Sequence, residues 1–462
     1  MLGITLLVIA IIAYVIELKR ISLFIFTSFM LNGWCVLTDD VLEMKNYDLA
    51  IIYTFVIFFF SALFEKSPTK FNDSKLKRWL YVFAVFIILD VIFSYNHYEF
   101  TPYQILQGSR ASFLFLSYFF LRKVKVKDFL WINEIFFYIT LVTSVLYILE
   151  VFFDMPVLPY NKEGAKIDDY TGIMRYYNSP PLLYWYIFIT VLTPNLLKSK
   201  FTFLSIFVFI IALIATLGRI QIAMTAAVLL IGLIIQGRAK SIVTAAVAVL
   251  VLAAPFAQLL GARFAGKYED STASEIKAIF NGGIQETVYV GNSKDVGTFT
   301  YRLAWIYERA DYLSTRPMEE NVFGLGLISD SQTQKVNSMY AFGLGLMDEE
   351  ENIAQLTTPD ISYGNLLSKY GYVGGVLFLF IWFQMLATFI RYHREDDMAF
   401  AGMLLVINAI LLGFSGTTIS DQGYLITPYL AYVVLIHKVT KEPLPEPAIA
   451  ERANGQDAGQ AT

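Results

Sequence analysis

Cysteine occurs once in 462 residues, at Cys35, so no disulfide can form within the chain. A lone thiol inside an apolar run reads as a packed side chain. Histidine is almost as scarce. His97, His393 and His437 fall in separate loops or helix ends without metal-ligand spacing, so neither a structural nor a catalytic metal centre is expected. Charge is sparse too: Asp, Glu, Lys and Arg make up 16% of the chain, against about 25% in a soluble domain. The net charge is only −4 and the basic residues form short scattered clusters, which excludes a nucleic-acid module. The first residues lack a basic n-region and a small-residue cleavage site, so Leu2–Ile16 reads as a membrane helix rather than a signal peptide.

What the chain has instead is apolar length. Hydrophobic residues account for 56% of it and aromatic ones for 16%. They gather in runs near the length of about 20 residues that a helix needs to cross hydrocarbon. Such runs lie near Leu2–Ile16, Ile21–Leu37, Leu49–Phe64, Trp79–Tyr95, Tyr103–Leu121, Phe129–Phe153 and Pro181–Leu197. Others follow at Phe201–Leu217, Ile220–Gln236, Ile242–Leu260, Leu366–Ile390, Met398–Phe414 and Tyr424–Ile436. The expected fold is an all-α polytopic membrane protein of about 12–14 transmembrane helices. Helices 1–10 occupy residues 1–260, a large extracytoplasmic loop residues 261–365, helices 11–13 residues 366–440, and a polar, proline-bearing cytoplasmic tail residues 441–462.

Orientation follows from loop charge. Lys66, Lys70, Lys75, Lys77 and Arg78 share one loop, and Arg122, Lys123, Lys125 and Lys127 another of the same parity. Lys198 with Lys200, Arg238 with Lys240, Arg391 with Arg394, and Lys438 with Lys441 continue the series. The intervening Asn96–Thr101 and Ser415–Gly423 have no Lys or Arg. The positive-inside rule puts the basic set in the cytoplasm.

Charges inside apolar runs are expensive and usually face a cavity or a partner. Asp90 and Arg110 lie at similar depth in neighbouring helices, as a buried ion pair or part of a lipid-phosphate groove. Glu134 and Glu150 are read as snorkelling toward the ends of their helix. Arg219 interrupts the apolar stretch Phe201–Gln236 at the turn Leu217-Gly218-Arg219. A guanidinium beside free helix N–H groups suits phosphate, and equally suits a lipid headgroup.

The long outer loop contains Tyr301-Arg302-Leu303-Ala304-Trp305, and then Arg309. Helical spacing puts Arg302 and Arg309 on one face with Trp305 between them, suited to a sugar phosphate or to headgroups. Two turns, Phe323-Gly324-Leu325-Gly326-Leu327 and Phe342-Gly343-Leu344-Gly345-Leu346, lack the context of a dinucleotide fingerprint and read as flexible surface turns. The acidic run Asp348–Glu351 reads as a solvated face. Asp360 stands before the next apolar helix, to accept a proton from a sugar hydroxyl, to hold that hydroxyl in place, or to cap the helix.

Together these motifs resemble the O-antigen ligase and Wzy-type O-antigen polymerase superfamily, over about Tyr170 to Gly375. Arg175 with Asn178-Ser179-Pro180-Pro181 is similar to its arginine and Asn-Pro element, and Thr216-Leu217-Gly218-Arg219 to its Thr-x-Ser-Arg turn. Tyr301-Arg302 with Trp305 resembles its loop arginine helix, and Gly324-Leu325-Gly326 its Gly-x-Gly. The stretch Asp360–Gly374, with Tyr363, resembles the ligases' His-Asn-x-Tyr-Leu segment and later Gly-x-x-Gly. Asp360 stands where ligases usually carry histidine, which favours a polymerase-type member.

The resemblance implies a GT-C-like glycosyltransferase in a bacterial inner membrane with its active site facing the periplasm. Its substrates would be a donor and an acceptor glycan, both on undecaprenyl diphosphate. A chain-length regulator and a flippase are implied as further partners beside membrane lipids. Asp360, Arg302 and Arg219 are the implied catalytic residues, and Arg175, Arg309, Trp305, Tyr301 and Tyr363 the implied substrate contacts. No cofactor or metal is implied. Ligase activity, or transport of the lipid-linked glycan, are the alternatives.

Overall fold

A computed structural model describes residues 2–37, 45–65, 74–153, 155, 157–158, 166–167, 171–176, 179–237, 298–340, 342, 344, 346–347, 353–358 and 360–441. The expected helix Ile242–Leu260, Asn178, the loop residues up to 297, the acidic run Asp348–Glu351 and the tail from Glu442 lie outside the described residues, as do Lys66, Lys70, Arg238, Lys240 and the side chain of Cys35. The protein is mostly helical. Its first half comprises α1 (Leu2–Val15), α2 (Lys19–Met30), α3 (Asn46–Phe64), α4 (Ser74–His97), α5 (Pro102–Ser109), α6 (Ser117–Leu121), α7 (Val126–Phe153), α8 (Leu183–Leu192), α9 (Thr202–Ala215) and α10 (Arg219–Ile235). After these come α11 (Thr298–Ser314), α12 (Met318–Phe323), α13 (Thr333–Met339), α14 (Ser362–Tyr392), α15 (Asp397–Leu412) and α16 (Ile426–Lys441). The described residues also include two antiparallel pairs of two-residue strands: β1 (Lys166–Ile167) with β2 (Met174–Arg175), and β3 (Leu346–Met347) with β4 (Ile353–Ala354).

Among the described residues three helices, α3, α7 and α14, are long and apolar enough to cross a membrane. Shorter apolar helices pack beside them, α1 on α3, α9 on α7 and α15 on α14, and α10 packs on α15. Their outward faces stay apolar: Phe59, Leu63 and Phe64 on α3, Val85, Ile88 and Ile92 on α4, and Phe203 and Leu204 on α9 are all exposed. Exposed apolar side chains in this number favour aggregation in water and are at home in hydrocarbon. The interior is filled by aromatic rings. Phe26 stacks on Tyr53 at 4.7 Å between centroids, and Phe83 meets Phe115, Tyr370 and Phe378.

The run Tyr103–Leu121 divides into α5, a 3-10 segment Arg110–Leu116 and α6. Thr101 starts α5 with a reciprocal capping box to Gln104, and Pro102 takes the first helical position. Arg110 begins the 3-10 segment and pairs with Asp48 at 2.7 Å, not with Asp90 as its depth suggested. Asp90 is fully buried and accepts from the Ser94 hydroxyl at 3.3 Å. Glu150 does not snorkel: it is fully buried and accepts the backbone N–H of Leu158.

Contacts between helix ends define two poles. At one, Lys19 meets Glu65 at 2.5 Å, Arg20 meets Asp128 at 2.6 Å, Lys123 donates to the carbonyls of Ser61 and Glu65, and Lys438 meets Asp396 at 2.6 Å. The starts of α2, α7 and α15 and the ends of α3, α6 and α16 are thereby gathered with their basic residues. At the other pole Tyr47 donates to Asp421, and the N–H of Ser362 donates to the carbonyl of Gly413. His97 meets Glu320 there at 3.1 Å. Among the described residues, Lys19, Arg20, Lys123 and Lys438 thus lie at one end of the bundle, and Tyr47, Asp421, His97 and Glu320 at the other.

Candidate functional site

Four of the elements singled out in the sequence end at the non-basic pole. The α9–α10 turn is built by its own side chains. Thr216 donates to the Leu213 carbonyl at 2.7 Å, its hydroxyl accepts from the Gly218 N–H, and Leu217 takes a left-handed φ of 51°. Arg219 opens α10 from this turn and is half-buried. Antiparallel packing fixes its level. Thr225 on α10 faces Asn408 on α15, and Gly232 lies against Leu404, so Arg219 falls beside the end of α15. That end, at Gly413, holds the first residue of α14. Arg175 on β2 reaches the same pole, because the next residue, Tyr176, accepts the Tyr147 hydroxyl near the end of α7 and packs with Ala215 at the end of α9.

The loop helix α11 lies on the start of α14. Trp305 is fully buried against Gly364, where a Cβ would fall 2.6 Å from the indole. Arg302, buried, points its Nη2 at Asp360 Oδ1 at 3.5 Å. This pair joins two segments that the sequence separates widely. Asp360 keeps about a third of its side chain exposed (32%), so one face of the carboxylate is open to a ligand. It does not cap α14: the residue in the cap position is Ile361, and no side chain accepts there. Tyr301 lies beside the pair. Burial, reinforced by the Asp360 charge, pushes its phenol up to about 12, so it is a neutral hydrogen-bonding group at physiological pH.

Arg302 and Arg309 do not act as one cationic face. Arg309 is fully buried and its guanidinium stacks 3.3 Å from the centre of the Trp305 ring, with Phe342 beyond at 4.3 Å. It donates to the carbonyls of Leu344 (2.6 Å) and Gln355 (2.9 Å) and pairs with Glu308 at 2.5 Å. Burial, opposed by Glu308, pulls its pKa down to about 10, still charged at neutral pH. Arg309 and Trp305 therefore hold the loop together from inside. Tyr363 is also engaged, donating to the Ile410 carbonyl at 2.8 Å.

The first Gly-x-Gly turn is a buried wedge, not a flexible surface turn. Leu325 and Leu327 are fully buried. The Leu325 N–H donates to the Ser368 carbonyl, the Leu327 N–H to Ser94 Oγ, and the Tyr98 hydroxyl to the Gly324 carbonyl. The wedge enters where α14 is broken by Gly371, whose φ of 63° and ψ of −167° suit glycine alone. Gly343 and Gly345 of the second turn lie outside the described residues.

Two clamps precede Asp360 that motif reading missed. Asp330 accepts the N–H groups of Gln355, Leu356 and Thr357 and the Thr357 hydroxyl. Asn365 then holds Thr358 by both its N–H and its carbonyl. The available signal was an asparagine placed inside an apolar helix, where the residue is a poor helix former. Among the described residues no group of three or more His, Cys, Asp or Glu is placed to hold a metal. No family model matches the sequence, and no curated protein matches it.

Proposed function

We propose that this is a polytopic, GT-C-like enzyme of a bacterial inner membrane that polymerises undecaprenyl-diphosphate-linked oligosaccharide repeat units at the periplasmic face. The observation that carries this reading is the Arg302–Asp360 pair at the pole where the Arg219 turn and Arg175 also end, away from the basic loops. The positive-inside rule assigns the basic pole to the cytoplasm, which leaves this group facing outward. Guanidiniums beside a carboxylate fit a reaction that releases a diphosphate.

In that reaction the acceptor hydroxyl oxygen bonds to the donor's anomeric carbon. The bond from that carbon to the diphosphate oxygen breaks, and its electron pair leaves with the lipid diphosphate. The hydroxyl proton passes to water. Arg302 and Arg219 stabilise the departing charge, with Arg175 as the third cation, and several fixed cations replace a divalent metal. Asp360 orients Arg302 through one oxygen and holds the acceptor hydroxyl with the other.

The test uses purified protein and a lipid-linked repeat unit, with products sized on a gel. Arg219→Ala and Arg302→Ala should each lower elongation on the order of 10²-fold or more, and a chelator should leave the wild type unaffected. Normal elongation by either variant removes the diphosphate site. Asp360→Asn should retain more activity than Asp360→Ala, because the amide still accepts from Arg302; a folded but inactive Asp360→Asn would move Asp360 into the role of base.

Transport of the same lipid-linked glycan is the second reading, since interrupted helices such as α14 mark many transporters. The two separate cleanly. A transporter moves labelled substrate across proteoliposomes without lengthening it, whereas the polymerase lengthens the glycan and frees lipid diphosphate. Ligase activity would instead appear as transfer onto a lipid A-core acceptor.

A further inference from the structure

Asp360 occupies a turn that nothing in its own sequence would hold still. It follows a proline and precedes α14 without capping it. The turn is nevertheless tied at a defined point. Asn365, one turn into α14 and buried, donates Nδ2–H to the Thr358 carbonyl at 2.7 Å and accepts the Thr358 N–H on Oδ1 at 2.9 Å. The Thr358 hydroxyl in turn accepts the Asp360 N–H at 3.2 Å.

The platform under Asn365 is fixed independently. Ser362 donates its hydroxyl to the Gly416 carbonyl and accepts the Ile419 N–H, and Tyr363 is bonded to α15. The break at Gly371 sets this short first arm of α14 apart from the rest of the helix. An asparagine gives the helix nothing here: it propagates a helix poorly, and a buried amide is costly unless both its ends are bonded. Both ends are bonded, and both to Thr358.

We infer that Asn365 is a positioning residue, which acts through Thr358 to hold the Asp360 carboxylate against Arg302. The inference deepens the glycosyltransferase reading and rests on it for its kinetic consequence, but its structural core concerns only the Arg302–Asp360 pair. A displacement of about an ångström at such a group is enough to cost up to ~10²-fold in rate.

Two measurements on the full-length purified protein test it. In the elongation assay, Asn365→Ala should lower kcat by roughly 10- to 100-fold and leave KM near the wild-type value. In an Asp360→Ala background the same substitution should have little further effect, because the group it positions is gone. Asn365→Asp, which keeps the acceptor for the Thr358 N–H but loses the donor, should fall between wild type and alanine. Equal losses in both backgrounds would overturn the inference.

The second measurement needs no activity. Melting temperatures in detergent give a cycle of Arg302→Ala, Asp360→Ala and the double variant, first with Asn365 intact and then with Asn365→Ala. The two substitutions should be non-additive when Asn365 is present and additive when it is absent. The same coupling in both backgrounds means that Asn365 does not hold the pair. Wild-type protein that fails to elongate any lipid-linked glycan sinks the enzymatic reading alone, since the melting cycle still decides the role of Asn365.

Discussion

Arg302 and Arg309 sit on the same helix and carry the same group, yet their surroundings give them different work. Arg302 faces a carboxylate that keeps an open side, while among the described residues Arg309 stacks on Trp305 and donates to carbonyls inside the loop. A flat guanidinium stacked on an indole cannot be replaced by an ammonium without losing the stack and one of its forked bonds. Arg309→Lys should therefore lower stability by about 2 kcal/mol. Arg309→Ala should cost about 3–5 kcal/mol, because Glu308 and two carbonyls lose their partner. Thermal unfolding in detergent measures both. Elongation per folded molecule should stay near wild type for Arg309→Lys; a selective loss of activity at unchanged melting temperature would return Arg309 to the substrate site. Spacing alone placed both arginines on a shared face, because it reports helix geometry and not which carbonyls a distant strand will offer.

At the scale of elements, the decisive feature is the meeting of α14 with the Gly324–Leu327 wedge. Each glycine stands in the other's way. A Cβ on Gly324 would fall 2.5 Å from the Gly371 nitrogen, and one on Gly371 would fall 2.6 Å from the Gly324 nitrogen and from the Asn321 carbonyl. Both also have positive φ, 80° and 63°. Gly371→Ala should destabilise by more than about 2 kcal/mol, combining backbone strain with the clash. Since either substitution opens the same contact, Gly324→Ala combined with Gly371→Ala should cost less than the two singly. Chromatographic monodispersity and melting temperature of the three variants check this, and simple additivity would show the two glycines to be independent. Apolar length located α3, α7, α14 and most of their neighbours within a few residues. It could not see the 3-10 segment that begins at Arg110, nor the break at Gly371, which depends on the wedge packed against the helix. The Gly-x-Gly turn was visible as a motif, but its burial was not, since glycine-rich sequence reads alike whether it faces water or a helix.

For the whole molecule, the parity of basic loops was the most legible property, and among the described residues the two poles agree with it through contacts that no local pattern contains. Lys19 with Glu65, Arg20 with Asp128 and Lys438 with Asp396 bring together ends of helices far apart in the chain. The Arg302–Asp360 pair does the same at the opposite pole. Pairing of this kind is set by the fold, so the sequence could mark the candidate residues but not join them. The poles make a prediction about topology that is independent of chemistry. In a Cys35→Ser background, a cysteine at Met318, which is 79% exposed beside the end of α4, should react with a membrane-impermeant maleimide in intact spheroplasts. A cysteine at Glu395, exposed in the turn before α15 that Lys438 reaches through Asp396, should react only after the membrane is opened. Labelling of both from outside would place the two poles on one side of the bilayer. Separation by a membrane would then fail, and with it the outward-facing placement of Arg219, Arg302 and Asp360 on which the proposed diphosphate release depends.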